Sequence, residues 1–356
     1  MNNAEQNISR GEHILILTPG FPQDEADDTC IPPLQEFLLK FKSIFTETKI
    51  SVFAFQYPYL EKEYEWNGIK VYSLAGKNSI IKKILVWIHA IILAKKIHRD
   101  NSVDVIHSFW LGECALIGNY LSKKLNCKHI CTLMGQDVKS SNKYIRWLHN
   151  SNLKLIAVSK NQADEFFRLT KRNIDEIIHW GIEEQPVNNN IKRDIDLLGV
   201  GSLIPLKNYS LFIKLAEEAI KIYPDLNCVL AGTGPELPKL KTIAEDKKLM
   251  NNIEFTGLIN RKDIFKLMQR SKILIHPSLF EGFGFVFAEA LVNGMNIVSF
   301  NVGHVLEHSK WFIAKNEKDF INITINLLSA KLDFGPFNPF PLAETAKHYD
   351  EIYGTN

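Results

Sequence analysis

Glu281 and Glu289 stand eight residues apart in a stretch that reads Ile-Leu-Ile-His-Pro-Ser-Leu-Phe-Glu-Gly-Phe-Gly-Phe-Val-Phe-Ala-Glu-Ala-Leu over 273–291. An apolar run ends near His276, the Glu-Gly-Phe-Gly segment at 281–284 makes a turn, and a helix is predicted from 285 to 293. One carboxylate therefore sits in a loop and the other on a helix, so each can accept from hydroxyls at different parts of one polyol ligand. Gly282 and Gly284 have no Cβ and let the backbone come close to that ligand. The open N–H groups of the following first turn then favour an anion such as phosphate. Two carboxylates repel a diphosphate, and Lys207 is the cation that can compensate. It follows a strand predicted at 197–203 and precedes a helix from Ser210, at the same sheet edge. An ammonium there offsets the charge that grows on a departing diphosphate, an effect on the order of several kcal/mol. Ala-Gly-Thr-Gly-Pro at 231–235 also lies just past a strand, where Gly232 and Gly234 offer a turn that admits a nucleobase or phosphate.

These residues need a sheet to bring them together. Short apolar runs at 14–17, 50–55, 103–107, 129–133 and 155–158 read as buried parallel strands, with helices at 34–45, 80–97 and 114–125 between them. The polar stretch 183–194, with Pro186, reads as a linker. Alternation then restarts. Strands are predicted at 197–203, 228–231, 253–256, 273–276 and 296–300, and helices at 210–223, 236–248, 263–269 and 285–293. The expected architecture is α/β, with two Rossmann-like doubly wound lobes. An N-terminal lobe spans 1–185, a C-terminal lobe spans 186–335, and a segment 336–356 turns helical after Pro341 and crosses back to the first lobe. Two such lobes imply a cleft for ligands.

With its motifs in this order, the chain resembles the retaining glycosyltransferases of the GT-B fold, in the large group called family 4. The resemblance rests on Glu281 and Glu289 in their Glu-Gly-Phe-Gly context, on Gly-Ser-Leu-Ile-Pro-Leu-Lys-Asn at 201–208 and on Gly-Thr-Gly-Pro at 232–235. First-lobe segments agree in order: Val-Ile-His at 105–107, Thr-Leu-Met-Gly-Gln-Asp at 132–137, Ala-Val-Ser at 157–159 and Trp-Gly-Ile at 180–182. The resemblance implies transfer of a sugar from a UDP- or GDP-linked donor to a carbohydrate or lipid-linked glycan acceptor, in surface-glycan assembly. Anomeric configuration would be retained by a front-face route, with no metal and no cofactor. It implies that Glu289 binds ribose hydroxyls, Glu281 the transferred sugar, Lys207 the diphosphate and the Gly232 turn the base. Gly282, Phe283 and Gly284, with Gly234 and with Gly20 after the first strand, would border the donor. His107, Met134 and Asp137 would contact acceptor or sugar. Two positions depart from the family: Met134 replaces a histidine, and a thioether does not hydrogen-bond as imidazole does; Ser202 replaces an arginine.

Other readings stand beside these. His107 ends a strand and reads equally as a satisfied core histidine, and Asp137 as a local cap. The acidic stretch 24–28 reads as a solvated loop, and the loops 18–33 and 57–67 as seats of acceptor selectivity. Asp194-Ile-Asp196 has the spacing of a metal-binding pair but precedes its strand instead of following it. A formal net charge of +2 and 46% hydrophobic residues describe a globular protein with no basic arm for nucleic acid. Five cysteines without CxxC pairs read as buried thiols in a reducing compartment. The polar N-terminus lacks an apolar signal region, so the sequons at Asn7 and Asn322 carry no meaning and a cytoplasmic location is expected, with peripheral contact at the inner face of a membrane as an extension. Segment 80–99 bears on that contact, since it carries many isoleucines with Lys82, Lys83, Lys95, Lys96 and Arg99. Because apolar residues nearly surround it, burial is the expected reading and an anionic membrane the alternative. The competing functions are a degenerate protein that binds a nucleotide sugar without transferring it, and an epimerase or phosphorylase on the same architecture.

Overall fold

A strand that is apolar at every position has to be covered on both faces, and Ile14, Leu15, Ile16 and Leu17 are all buried. In the computed structural model, which describes residues 12–184 and 191–354, they belong to β1 (His13–Gly20). The chain divides into two compact units, Met1–Glu183 with Phe340–Asn356, and Glu184–Pro339. The Asn7 sequon and half of the expected linker, residues 185–190, lie outside the described residues.

In the first unit the further strands are β2 (Lys49–Tyr57), β3 (Lys62–Trp66), β4 (Ile69–Ser73), β5 (Val105–Phe109), β6 (Lys128–Thr132), β7 (Lys154–Ala157) and β8 (Glu176–Ile177). They form one sheet in the order β3-β4-β2-β1-β5-β6-β7-β8, parallel except for β3 against β4. The antiparallel β3 occupies part of the expected loop 57–67, so that expectation is corrected: Tyr64 and Trp66 alternate with charged residues and pair with Val71 and Ile69. The connecting helices are α1 (Pro32–Ile44), α2 (Lys83–Asp100), α3 (Glu113–Leu125), α4 (Lys143–Leu148) and α5 (Lys160–Thr170).

Burial of α2 also departs from expectation. Val86, Ala90, Ala94 and Ile97 face the sheet, but Ile84, Leu85, Ile88 and Ile92 are exposed. A helix laid on a sheet can bury only one stripe, and here small alanines bring that stripe close. No helix among the described residues is long and apolar enough to cross a membrane.

The second unit has β9 (Ile195–Val200), β10 (Cys228–Ala231), β11 (Ile253–Gly257), β12 (Ser271–His276), β13 (Asn296–Phe300) and β14 (Trp311–Ala314), all parallel, in the order β11-β10-β9-β12-β13-β14. Its helices are α6 (Ser210–Ile220), α7 (Leu237–Asp246), α8 (Arg261–Arg270), α9 (Phe285–Val292) and α10 (Glu317–Ser329). Successive strand residues serve opposite cores. Leu197, Ile273 and Ile275 pack with residues of α6, α7 and α10, and Leu198 and Leu274 with residues of α8 and α9.

The closing helix α11 (Leu342–Gly354) belongs to the first unit. The Ile182 N–H donates to Phe340 O at 2.8 Å, and a Cβ on Gly181 would lie 2.4 Å from Leu342 Cα, so only glycine admits this approach. Trp180 is fully buried among Phe37, Phe109 and Tyr349.

Buried histidines give this fold an acid sensitivity. Burial holds the His107 pKa well below its usual value, with His129 beside it adding to the effect, and burial pushes His129 down to about 3. Both fold neutral and take up protons on unfolding. Their contribution is therefore fully present above about pH 6.5 and lost below it, by up to about 1.4 kcal/mol per pH unit each. Asp350, pushed up to about 6 by burial and then by Glu12 and Glu351, opposes one of them. Urea titrations are expected to give an unfolding free energy about 1–3 kcal/mol smaller at about pH 5.5 than at about pH 7.5. Equal values at both would contradict this.

Candidate active site

In the second sheet the chain runs outward from β9 to β10 and β11, then returns to β9's other side as β12. The loops leaving β9 and β12 diverge at this switch point, which opens a crevice at the carboxyl ends of the strands. The two loops are tied together at their base: Leu279 N–H donates to Leu206 O at 2.9 Å, and Ser278 Oγ to the same oxygen at 3.3 Å. Above that tie Lys207, on a short 3₁₀ turn, forms an ion pair with Glu281. These are the residues that sequence spacing assigned to one edge, and the structure joins them.

Glu281 has a second partner that the sequence did not announce. His276, the last residue of β12 and fully buried, lies with Nε2 2.7 Å from Glu281 Oε1. Burial lowers the His276 pKa against the pull of Glu281, so the ring is neutral at neutral pH and donates from Nε2–H. Its Nδ1 is buried without a hydrogen-bond partner among the described residues, which an imidazolium N–H there would tolerate poorly. For Glu281, burial opposes ionisation, but the His276 hydrogen bond and the Lys207 charge outweigh it and hold the carboxyl below the usual range. Gly303, after β13, backs the same loop: a Cβ on it would meet Phe283 O at 2.4 Å and Glu281 Cβ at 3.1 Å.

Glu289 lies on the second turn of α9, paired with Arg261 at 2.9 Å. Both side chains are largely buried. Burial raises the Glu289 pKa while the Arg261 charge lowers it. The start of α9 carries no side-chain cap and no acid in its first turn, with Gly284 as N-cap at φ +86°. Its first N–H groups and dipole therefore favour an anion beside Lys207. Gly282, Phe283 and Gly284 are buried, and Phe283 O already accepts from His304 N–H at 2.9 Å.

Packing requires the glycines after β10. A Cβ on Gly232 would lie 1.9 Å from Gly201 O, and one on Gly234 2.4 Å from Leu203 O. Glycine is required there because two backbone loops touch. The Asp194 and Asp196 pair sits at the opposite edge, at the start of β9, bridged to Arg270 at 2.6 Å and Lys272 at 2.7 Å.

Of the first-unit residues, His107 is the satisfied core histidine, the second of its two readings, and not a sugar contact. It is fully buried, with Nδ1 2.7 Å from the Tyr353 hydroxyl and Nε2 2.8 Å from Thr132 Oγ1, so it ties α11 to β5 and β6 and presents nothing to a sugar. Asp137 is likewise taken up locally. Its carboxylate accepts from the N–H groups of Leu111 at 2.9 Å, Gly135 at 2.8 Å and Met134 at 3.2 Å. Met134 is half-buried in the loop after β6. Gly20 closes β1, where a Cβ would stand 3.2 Å from Cys30 Sγ.

The chain is similar to known proteins. Residues 181–327 match the family described as Glycosyl transferases group 1. An uncharacterized glycosyltransferase of Methanocaldococcus jannaschii is 31% identical over 254 residues, which is 68% of either chain. The chain belongs to the group 1 glycosyltransferases. A phosphatidylinositol N-acetylglucosaminyltransferase subunit of Schizosaccharomyces pombe is 28% identical over 154 residues, 42% of this chain and 34% of that one. The Anabaena protein HepE, solved in complex with UDP and glucose, superposes with a TM-score of 0.71 at 16% identity, over 96% of this chain and 99% of that one. The fold is GT-B, and the chain is a transferase.

Three residues of this glycosyltransferase escaped the sequence reading: His276, Arg261 and Gly303. His276 was visible only as the end of an apolar run, and Arg261 lay just ahead of the helix predicted at 263–269. Asp137 in turn has a structural use in the glycosyltransferase that can be measured. Asp137→Ala leaves three backbone donors without their acceptor and is expected to lower unfolding stability by about 2–4 kcal/mol in urea titrations, with Asp137→Asn intermediate. Wild-type stability in Asp137→Ala would remove that role.

Proposed function

We propose that this glycosyltransferase moves a hexose or related sugar from a UDP- or GDP-linked donor to a carbohydrate or lipid-linked glycan acceptor, with retention of configuration and without a metal ion, in surface-glycan assembly. The observation that carries the reading is the meeting of Lys207 with Glu281 at the sheet switch point, beside the uncapped N-terminus of α9. A donor diphosphate entering there exchanges the Lys207–Glu281 pair for Lys207–phosphate contact, and the α9 amides share its charge. Glu281, still oriented by His276, then accepts from the hydroxyls of the transferred sugar. Its carboxylate orients the sugar and does not act as a nucleophile. Glu289, held by Arg261, faces the ribose, and the Gly232 turn borders the base.

HepE's complex with UDP and glucose supports a UDP-linked donor, and the yeast relative's phosphatidylinositol substrate supports a lipid-linked acceptor. A thermal-shift screen against nucleotide sugars tests the reading first. A donor that binds the native state raises the melting temperature in proportion to the logarithm of its excess over Kd. Turnover of that donor is expected to survive EDTA, and the product anomer, read by NMR, to match the donor's. Donor binding with no hydrolysis or transfer over a broad acceptor panel would favour the degenerate binding protein instead. An isomerised nucleotide sugar would favour the epimerase.

A further inference from the structure

The outward face of α2 is apolar where a water-facing helix is ordinarily polar. Ile84, Leu85, Ile88 and Ile92 are 65%, 67%, 50% and 61% exposed, and Ile80 and Ile81 just ahead of the helix are 89% and 88% exposed. The spacing 81, 84, 85, 88, 92 follows the helical repeat, so these side chains form one stripe opposite the buried Val86, Ala90 and Ala94. Three and seven residues beyond Ile92 the same stripe becomes Lys95 and Arg99, with Lys96 alongside, and Lys82 stands at its other end; all four are exposed. Two acids stand at its margin, Glu61 beside His89 at 3.3 Å and Asp100 beside Arg99 at 3.7 Å.

We propose that this face docks the protein on the surface of an anionic lipid bilayer. An apolar stripe enters the headgroup boundary, and the exposed bases Lys82, Lys95, Lys96 and Arg99 answer the negative charge of the lipid. A second copy fits less well, because pairing two α2 helices antiparallel about a two-fold axis sets the basic end of each against the apolar end of the other. The first turns of α2 also stand at the carboxyl edge of the first sheet, where Lys83 meets Glu113 at 3.5 Å and Gln56, at the end of β2, binds the same carboxylate. A docked bilayer therefore lies beside the strand ends at which an α/β unit takes its ligand. That last point rests on the proposed lipid-linked acceptor; the docking does not.

Flotation with vesicles tests it. The full chain is expected to float with phosphatidylcholine vesicles containing about 30% phosphatidylglycerol, weakly with pure phosphatidylcholine, and less as salt is raised. Ile84→Glu combined with Ile88→Glu is expected to lower the partition at least about tenfold, at an unchanged melting temperature, since neither side chain is buried. Equal flotation of variant and wild type, or no flotation on the anionic vesicles, would overturn the proposal. So would a concentration-dependent dimer in sedimentation that the double variant abolishes, which would give the face to a second copy. Nucleotide-sugar thermal shifts, read on both proteins without vesicles, report on the donor site alone and keep failure of the two readings apart.

Discussion

Lys207→Ala is expected to reduce kcat/KM for sugar transfer by about 10²- to 10³-fold, mostly in kcat. The ammonium faces charge that grows as the glycosidic bond to phosphate breaks, so its value is greater in the transition state than in the bound donor. The fold should tolerate the change. Lys207 sits on a surface turn held by backbone bonds, Lys207 N–H to Ile204 O at 3.0 Å and Asn208 N–H to Pro205 O at 3.1 Å. Glu281 keeps its bond to His276 at 2.7 Å. Without Lys207 the carboxylate loses one of the two influences that hold its pKa down, and its titration moves up toward the ordinary range. Melting temperature and steady-state kinetics on one preparation separate these effects. A variant within about threefold of wild-type kcat/KM would take the diphosphate away from Lys207.

Arg261→Ala is expected to have the largest effect on stability, a loss of about 3–5 kcal/mol in urea unfolding at neutral pH. The guanidinium at 2.9 Å is the counter-charge of Glu289, whose side chain is 13% exposed and whose carboxyl burial already pushes toward protonation. Removing it leaves a carboxylate that must either remain charged in poor surroundings or take a proton, and both outcomes weaken the fold. The sign can be read from pH. Once Glu289 is protonated the missing charge matters less, so the difference between variant and wild type shrinks as pH falls. Adding Glu289→Gln to Arg261→Ala is expected to recover much of the loss, because the uncompensated charge is gone. A double variant no more stable than Arg261→Ala would show that the arginine acts through other contacts. Both forms should lose donor affinity on the proposed ribose-binding role of Glu289, and only the single variant should lose most of its stability.

Much of this was legible in the residues. Strand runs such as 14–17 and 273–275 are apolar at every position and short, a pattern that forces a sheet covered on both faces. The positions of Lys207 and Glu281 after two such runs were enough to assign them to one edge. Pairing partners were less legible. His276 and Arg261 matter because the loop after β12 folds Glu281 back onto the strand's last residue and because α8 begins within reach of α9, and neither contact follows from spacing alone. The outward turn of α2 was hidden for a related reason: its apolar residues nearly surround the helix, and periodicity does not say which stripe the sheet will take. The alanines at 90 and 94 decide it, by allowing the closer approach. β14 and α10 fell outside the predicted elements because Asn322, Thr324 and Asn326 interrupt the apolar repeat of α10. At 232–234 the closeness of loop 201–203 was not legible, because a missing Cβ looks the same from the sequence whether a ligand or another loop lies against it.

A crystal structure with an intact nucleotide sugar tests the central claim most directly. The diphosphate is expected within hydrogen-bond distance of Lys207 Nζ and of the first N–H groups of α9, with Glu281 released from the lysine and facing the sugar, and Glu289 facing the ribose. A donor bound elsewhere, with the Lys207–Glu281 pair intact and the α9 amides without an anion, would contradict it.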